Sequence, residues 1–423
     1  MEYKKIIKRP YNIHFIKTDK FKKVRIKINF KTALDKEKIV TRNMLSLILL
    51  DSTKKFKTKR LLDIQSEELY NVGIEANTNI SGSYHLLSFN LVYLLESYTE
   101  PGMTEKTIQF FLDFIFNPNI IDNKFDETSY KNAYNYLIED INSYEDNPNQ
   151  LALNNLYQTL CPNTGLDYKN TGYIEDLEKL TNEKLYQYYK ELLNDNLIDI
   201  FVVGNFNESE MQNIIEKNFQ INTLKAQGTT HIITHKKYRP LPIVVKDKKN
   251  INQSILLIGA KLMSLTNFER LYTLPIYNSI LGGTADSKLF KNVREKNSLC
   301  YSVSSTFSGL GSLMVISAGI NAKDFKKTVS LIKKEIKNMS KGDYTEREIE
   351  QAKTTYIASL KEIEDNQSSI ISIYEAHEYL DYALINEREE NIKKVTKQMI
   401  LDLNKKIKLD TIYFLEGGKT SEE

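Results

Sequence analysis

Arg294 and Tyr301 are the two side chains in this sequence whose types and spacing best suit chemistry. One is a planar fork of cationic donors and the other a phenol. Together they can grip a carbonyl or carboxylate and offset negative charge that develops on it. They sit seven positions apart in the run Leu281-Gly-Gly-Thr-Ala-Asp-Ser-Lys-Leu-Phe-Lys-Asn-Val-Arg-Glu-Lys-Asn-Ser-Leu-Cys-Tyr-Ser-Val303.

The elements that must hold them are readable in the same run. Gly282 and Gly283 are expected to end an apolar helix over 268–281, since glycine tolerates the left-handed conformation common at helix C-termini. Asp286 or Ser287 is expected to cap a second helix over 287–296. Its apolar stripe is Leu289, Phe290 and Val293, and it should fail near Asn297 and Ser298. Tyr301 then opens a strand. Arg294 on the last helical turn and Tyr301 just past the bend are therefore expected to face the same space.

The rest of the chain narrows the setting. At 423 residues, with 41% apolar and 27% charged residues, it suits a folded protein of more than one domain. A net charge of +3 from 58 basic and 55 acidic residues, mixed throughout, gives no basic tract for nucleic acid. The first residues lack the apolar core of a secretory signal, and the longest apolar run, 44–50, is too short to span a bilayer. Cys161 and Cys300 are far apart and outside any Cys-x-x-Cys spacing. These features predict a cytoplasmic chain in a reducing compartment.

The order of elements repeats. The first half reads as a strand over 24–30, helices over 36–50 and 61–72, strands over 74–94, helices over 105–116 and 127–144, more helices to 193, and a buried strand over 197–203. The second half follows with a strand over 254–258, helices over 268–281 and 287–296, and strands over 301–305 and 313–320. Helices over 323–339 and 346–363 come next, and a closing strand over 411–415. Thr345 and Glu348 form a capping-box signature for the last long helix. Residues 222–242, polar with Gly228-Thr-Thr, read as a linker. Strands interleaved with helix pairs favour α+β layers over a doubly wound parallel sheet.

Gly282, Gly283, Ser287, Lys288, Leu289, Phe290, Arg294, Glu295, Lys296, Leu299, Tyr301, Ser302 and Val303 resemble the C-terminal domain of the M16 zinc metallopeptidases, the pitrilysin and insulinase family, in its two-domain M16B branch. The resemblance covers essentially the whole chain. It implies two homologous LuxS/MPP-like α+β domains forming half of a clamshell: 1–221, a linker over 222–242, and 243–423. It also casts Arg294 and Tyr301 as the pair that holds substrate beside the zinc.

A zinc peptidase needs neutral or anionic ligands, an open coordination position and a carboxylate base. The family supplies most of these from an inverted His-x-x-Glu-His, which aligns here with Asn43-Met-Leu-Ser-Leu47. Asn43, Ser46 and Leu47 replace the histidines and the base. Asp140 falls at or next to the position of the last ligand, and one carboxylate without its histidines does not hold zinc. His14, His85 and His377 stand singly. His231 and His235 have a ligand-like spacing but lie in the linker. Cys300 has no nearby histidine and reads as a packed thiol, and neither a Gly-x-Ser-x-Gly elbow nor a Walker loop is present.

The resemblance thus implies a subunit without metal of its own, with zinc expected in a zinc-carrying M16 partner. Peptide cleavage would occur in a shared heterodimeric site to which this chain lends Arg294 and Tyr301, and the chain alone would be inactive. Two other readings stay open on the sequence: a non-catalytic peptide-binding protein, and a scaffold or assembly protein of M16 fold.

Overall fold

The computed structural model describes residues 1–8, 10–219, 221 and 232–418. It divides into two compact units. One comprises Met1–Ser143, Lys169–Thr230 and Asp365–Ser372, and the other Tyr144–Tyr168, His231–Glu364 and Ile373–Glu423.

The first unit is built on strands β1 (Glu2–Ile7), β2 (Tyr11–Lys17), β3 (Lys23–Ala33), β4 (Gly73–Ser81) and β5 (Tyr84–Leu94), with a small hairpin of β6 (Ile120–Ile121) and β7 (Lys124–Phe125), and β8 (Leu197–Gly204). Its six-stranded sheet has the order β1-β2-β8-β3-β5-β4, and β2 and β8 run parallel. Alternation along β3 sends Ile26, Ile28 and Phe30 into a core shared with Met44, Leu45, Phe111 and Leu185 from the flanking helices. The Lys59–Glu68 helix stops earlier than the sequence suggests: Tyr70 and Asn71 take left-handed φ of 63° and 54°, and Gly73 instead opens edge strand β4. The edge strand β1 and its neighbour β2 were not among the expected elements.

The second unit contains β9 (Ile243–Lys249), β10 (Ser254–Leu262), β11 (Cys300–Ser308), β12 (Leu313–Ile320) and β13 (Ile407–Gly417), in the order β11-β12-β10-β13-β9. On one face Leu256, Ile258, Ile316 and Phe414 pack on Ile332, Ile349 and Ile400 from helices. The opposite residues of the same strands, Ile255, Leu257, Val315, Tyr413 and Leu415, are also buried, beneath Ala152, Leu156 and Leu160 of the Pro148–Leu160 helix. A Cβ at Gly259 would lie 2.7 Å from Leu160 Cδ2, so glycine admits the helix closely.

The units therefore differ in two places from a simple cut between 221 and 243. A sheet apolar on both faces needs two covers, and Tyr144–Tyr168, from the first half of the sequence, contributes one of them. Asp365–Ser372 joins the first unit, where Gln367 Nε2 donates to the carbonyls of Lys23 (2.8 Å) and Val203 (3.0 Å). Residues 222–231 of the expected linker lie outside the described residues. Among those described, no helix is long and apolar enough to cross a membrane.

Candidate functional site

The helix carrying Arg294 is anchored from below. Leu289 and Val293 are fully buried, and the segment Phe290–Glu295 winds as a π-helix, a geometry frequent at functional sites. Gly282 sits in a preceding π-helical turn, Ser279–Gly283, without the left-handed φ expected of it. Close approach explains the glycine instead. A Cβ there would stand 2.9 Å from the Ser305 backbone nitrogen and 2.7 Å from Leu289 Cδ1. Asn278 and Ser305, joined by a 2.7 Å hydrogen bond, complete this seam between helix and strand. Neither Asp286 nor Ser287 caps the helix through its side chain. Asp286 pairs with Lys291 (3.3 Å) and accepts from Gln351 (3.0 Å), and Ser287 Oγ is buried with no partner.

After Arg294 the chain turns sharply. Ser298 takes a φ of 50°, its N–H donates to the Arg294 carbonyl (2.9 Å), and Asn297 Nδ2 donates to the Asn292 carbonyl (2.7 Å). Leu299 and Cys300 are buried, and β11 begins.

The register of β11 against β12 then shifts: Cys300 faces Ile320 while Ser302 faces Gly319, so Tyr301 is the extra residue of a β-bulge. A bulge bends the strand and re-aims the side chain it carries. Tyr301 is 71% exposed on this edge strand and makes no side-chain hydrogen bond among the described residues. Arg294 is also exposed, with its Cζ 4.5 Å from the Phe290 ring centroid, a cation–π contact one turn back along its own helix. No acid pairs with it among the described residues. Burial raises the pKa of the Cys300 thiol and the Arg294 charge opposes this, so Cys300 is a packed thiol with little thiolate character. The arrangement presents a cation without an ion pair and a phenol without a hydrogen bond, among the described residues, on either side of one tight turn.

The helix Ile39–Ile48 carries Asn43, Ser46 and Leu47 in the first unit. Asn43 Nδ2 donates to the Asn170 carbonyl (2.8 Å), its Oδ1 accepts from Thr78 Oγ1 on β4, and Ser46 Oγ donates to the Asn43 carbonyl (2.8 Å). Leu47 lines a groove of about 300 Å³ of mixed character, with Leu50, Leu62 and Phe110 beside Asp51, Lys59 and Asp63. These groups do not fit zinc. Asn43 and Ser46 are committed to protein partners and leucine has no donor atom. Asp140 is half-buried on the Glu127–Ser143 helix, and no cluster of three metal-ligating side chains gathers at these positions among the described residues.

His14 is fully buried, 3.2 Å from Asp199 Oδ1 and 2.9 Å from the Tyr3 hydroxyl. Burial, reinforced by the Arg42 charge, pulls His85 down to about 3. His235 lies 2.9 Å from the Gly311 carbonyl, and burial lowers its pKa. His377 Nδ1 lies 2.7 Å from the Tyr382 carbonyl. His231 is outside the described residues.

This α+β chain with the Arg294–Tyr301 turn is similar to the M16 peptidases: the family profile described as "Peptidase M16 inactive domain" matches residues 179–356. Among curated proteins it is similar to the "Probable inactive metalloprotease YmfF" of Bacillus subtilis, 29% identical over 96% of this chain and 95% of that protein. Among solved structures it is similar to a conserved protein from Enterococcus faecalis V583, with a TM-score of 0.89, 25% identity and 98% of each chain covered. A peptidase M16 inactive domain from Pseudomonas fluorescens shares the fold, with a TM-score of 0.80, 15% identity, and 99% of this chain and 98% of that one covered.

Proposed function

We propose that this chain is the metal-free subunit of a divided M16 peptidase and that it lends Arg294 and Tyr301 to a site completed by a zinc-carrying M16 partner. Metal and water activation belong to the partner. Tyr301 donates a hydrogen bond to the scissile carbonyl oxygen as negative charge builds there, and Arg294 holds a neighbouring backbone carbonyl or carboxylate of the peptide through its planar fork.

One observation carries this reading. The bulge places Tyr301 on an exposed strand edge seven residues after an exposed, acid-free Arg294, whereas Asn43 and Ser46, at the positions aligned with the zinc motif, are committed to hydrogen bonds within the chain. A purely structural role would spend that arginine and phenol on partners within the chain.

Mixing this chain with a zinc-carrying M16 subunit from the same genome and following cleavage of a quenched fluorescent peptide library tests the reading. Activity is expected only when both chains are present. Full activity of the partner by itself would overturn the proposal, and a stable complex whose activity ignores Arg294 and Tyr301 would assign the chain a scaffold role.

A further inference from the structure

Beyond the end of β11 remote from Tyr301, two arginines are buried without a counter-ion. Arg270, in the π-helical turn Glu269–Thr273, is 5% exposed. Its Nη1 donates to the Gly309 carbonyl and to Ser312 Oγ (2.9 Å), and its Nε has no acceptor. Arg388, in the Ile385–Lys393 helix, is 8% exposed. Its Nε donates to the Ala383 carbonyl, and its Nη2 has no acceptor. Neither forms an ion pair among the described residues. The acid beside Arg270, Glu269, is committed to Lys406 (2.7 Å) and the Thr266 N–H (2.7 Å).

Tyr382 links the two arginines. The Arg388 Cζ lies 5.3 Å from its ring centroid. A Cβ at Gly309 would stand 3.0 Å from the Tyr382 hydroxyl and 3.4 Å from Arg270 Cγ, so phenol and arginine meet at the same glycine. The Tyr382 hydroxyl makes no hydrogen bond among the described residues. Burial raises it more than the two guanidinium charges lower it, so it remains a neutral donor and supplies no counter-charge.

Removing a guanidinium from water without an opposing charge is costly, and two around one phenol also repel each other. We propose that Arg270, Arg388 and Tyr382 form a carboxylate-binding site whose occupant is the free acid group of a peptide. One N–H on Arg270 Nε, two on Arg388 Nη2 and the Tyr382 O–H suit a group of two oxygens with about four lone-pair sites. A phosphate brings more oxygens and a second charge than these donors answer. The site is separate from Arg294 and Tyr301 and does not rest on the divided-peptidase reading.

Thermal unfolding of the full chain at constant ionic strength tests it. The probes are N-acetylglycine, which carries an α-carboxylate, and N-acetylaspartate α-amide, which carries a side-chain carboxylate. N-acetylglycinamide and inorganic phosphate are the controls. A saturable rise in melting temperature is expected with at least one carboxylate and with neither control, and the tighter binder identifies the source. Arg388→Gln should abolish the rise. Tyr382→Phe, which keeps the ring, should weaken apparent affinity about five- to tenfold and decides the matter if the arginine variant does not fold. Arg388→Met should melt above wild type in carboxylate-free buffer, because it removes an uncompensated charge. No carboxylate response, an equal response to either control, or a response unchanged in the folded variants would overturn the proposal.

Discussion

Asn43 offers a quantitative test of the claim that the polar groups of the Ile39–Ile48 helix serve structure. The side chain is 7% exposed and bonds both to the Asn170 carbonyl and to Thr78 on edge strand β4. Asn43→Ala removes both bonds, each worth about 1 kcal/mol net. Thr78 is only half-buried and Asn170 is exposed, so water re-satisfies much of what they lose and the total stays near 2 kcal/mol. For a unit of this size that lowers the melting temperature by about 4–8 °C. Ser46→Ala serves as the control. Its hydroxyl bonds only to a carbonyl three residues back in its own helix, so its loss should change stability by less than about 0.5 kcal/mol. Urea unfolding of both variants, monitored by circular dichroism, reads the difference. The reasoning fails if Asn43→Ala costs no more than Ser46→Ala, or if added zinc stabilises the wild type but not Asn43→Ala.

Three further outcomes follow from named contacts. His85 is 1% exposed, with its pKa lowered to about 3; because the unfolded chain takes up that proton from about pH 6.5 downward and the native state does not, the His85 contribution is constant above pH 6.5 and falls by about 1.4 kcal/mol per unit below it, near 2 kcal/mol at pH 5. His85→Gln should flatten that part of the stability–pH curve, and an unchanged slope would refute the assignment. Gly282→Ala should cost about 1–3 kcal/mol, because the new Cβ meets the Ser305 backbone at 2.9 Å, whereas Gly73→Ala, whose nearest neighbour is 3.8 Å away, should be close to neutral. Tyr301→Phe should leave the stability of the isolated chain within about 0.5 kcal/mol of wild type, since the hydroxyl has no partner to lose.

Local chemistry made much of this structure readable in advance. Thr345 and Glu348 exchange the reciprocal capping bonds that their spacing predicts (2.7 and 3.2 Å), and the break after the Arg294 helix falls at Ser298. The missed features depend on tertiary contact. Glycine is permitted both by positive φ and by close packing, and at Gly282 only the position of Ser305 tells the two apart. Apolar periodicity does not distinguish π from α winding over six residues, so the Phe290–Glu295 helix reads as ordinary. The bulge at Tyr301 is a mismatch of register with β12 and leaves no mark on β11 alone. Arg270 and Arg388 are more than a hundred positions apart, and each reads alone as a surface charge. β10 is apolar on both faces, and the source of its second cover in Pro148–Leu160 was hidden by sequence distance.

The central claim is tested most directly by steady-state kinetics of the reconstituted pair with Tyr301→Phe in this chain and wild-type zinc-carrying partner. If Tyr301 stabilises charge that develops only during reaction, kcat should fall about 10²–10³-fold with KM, zinc content and complex formation little changed. Unchanged kcat in a properly formed, zinc-loaded complex would contradict the account and leave this chain without a part in the chemistry.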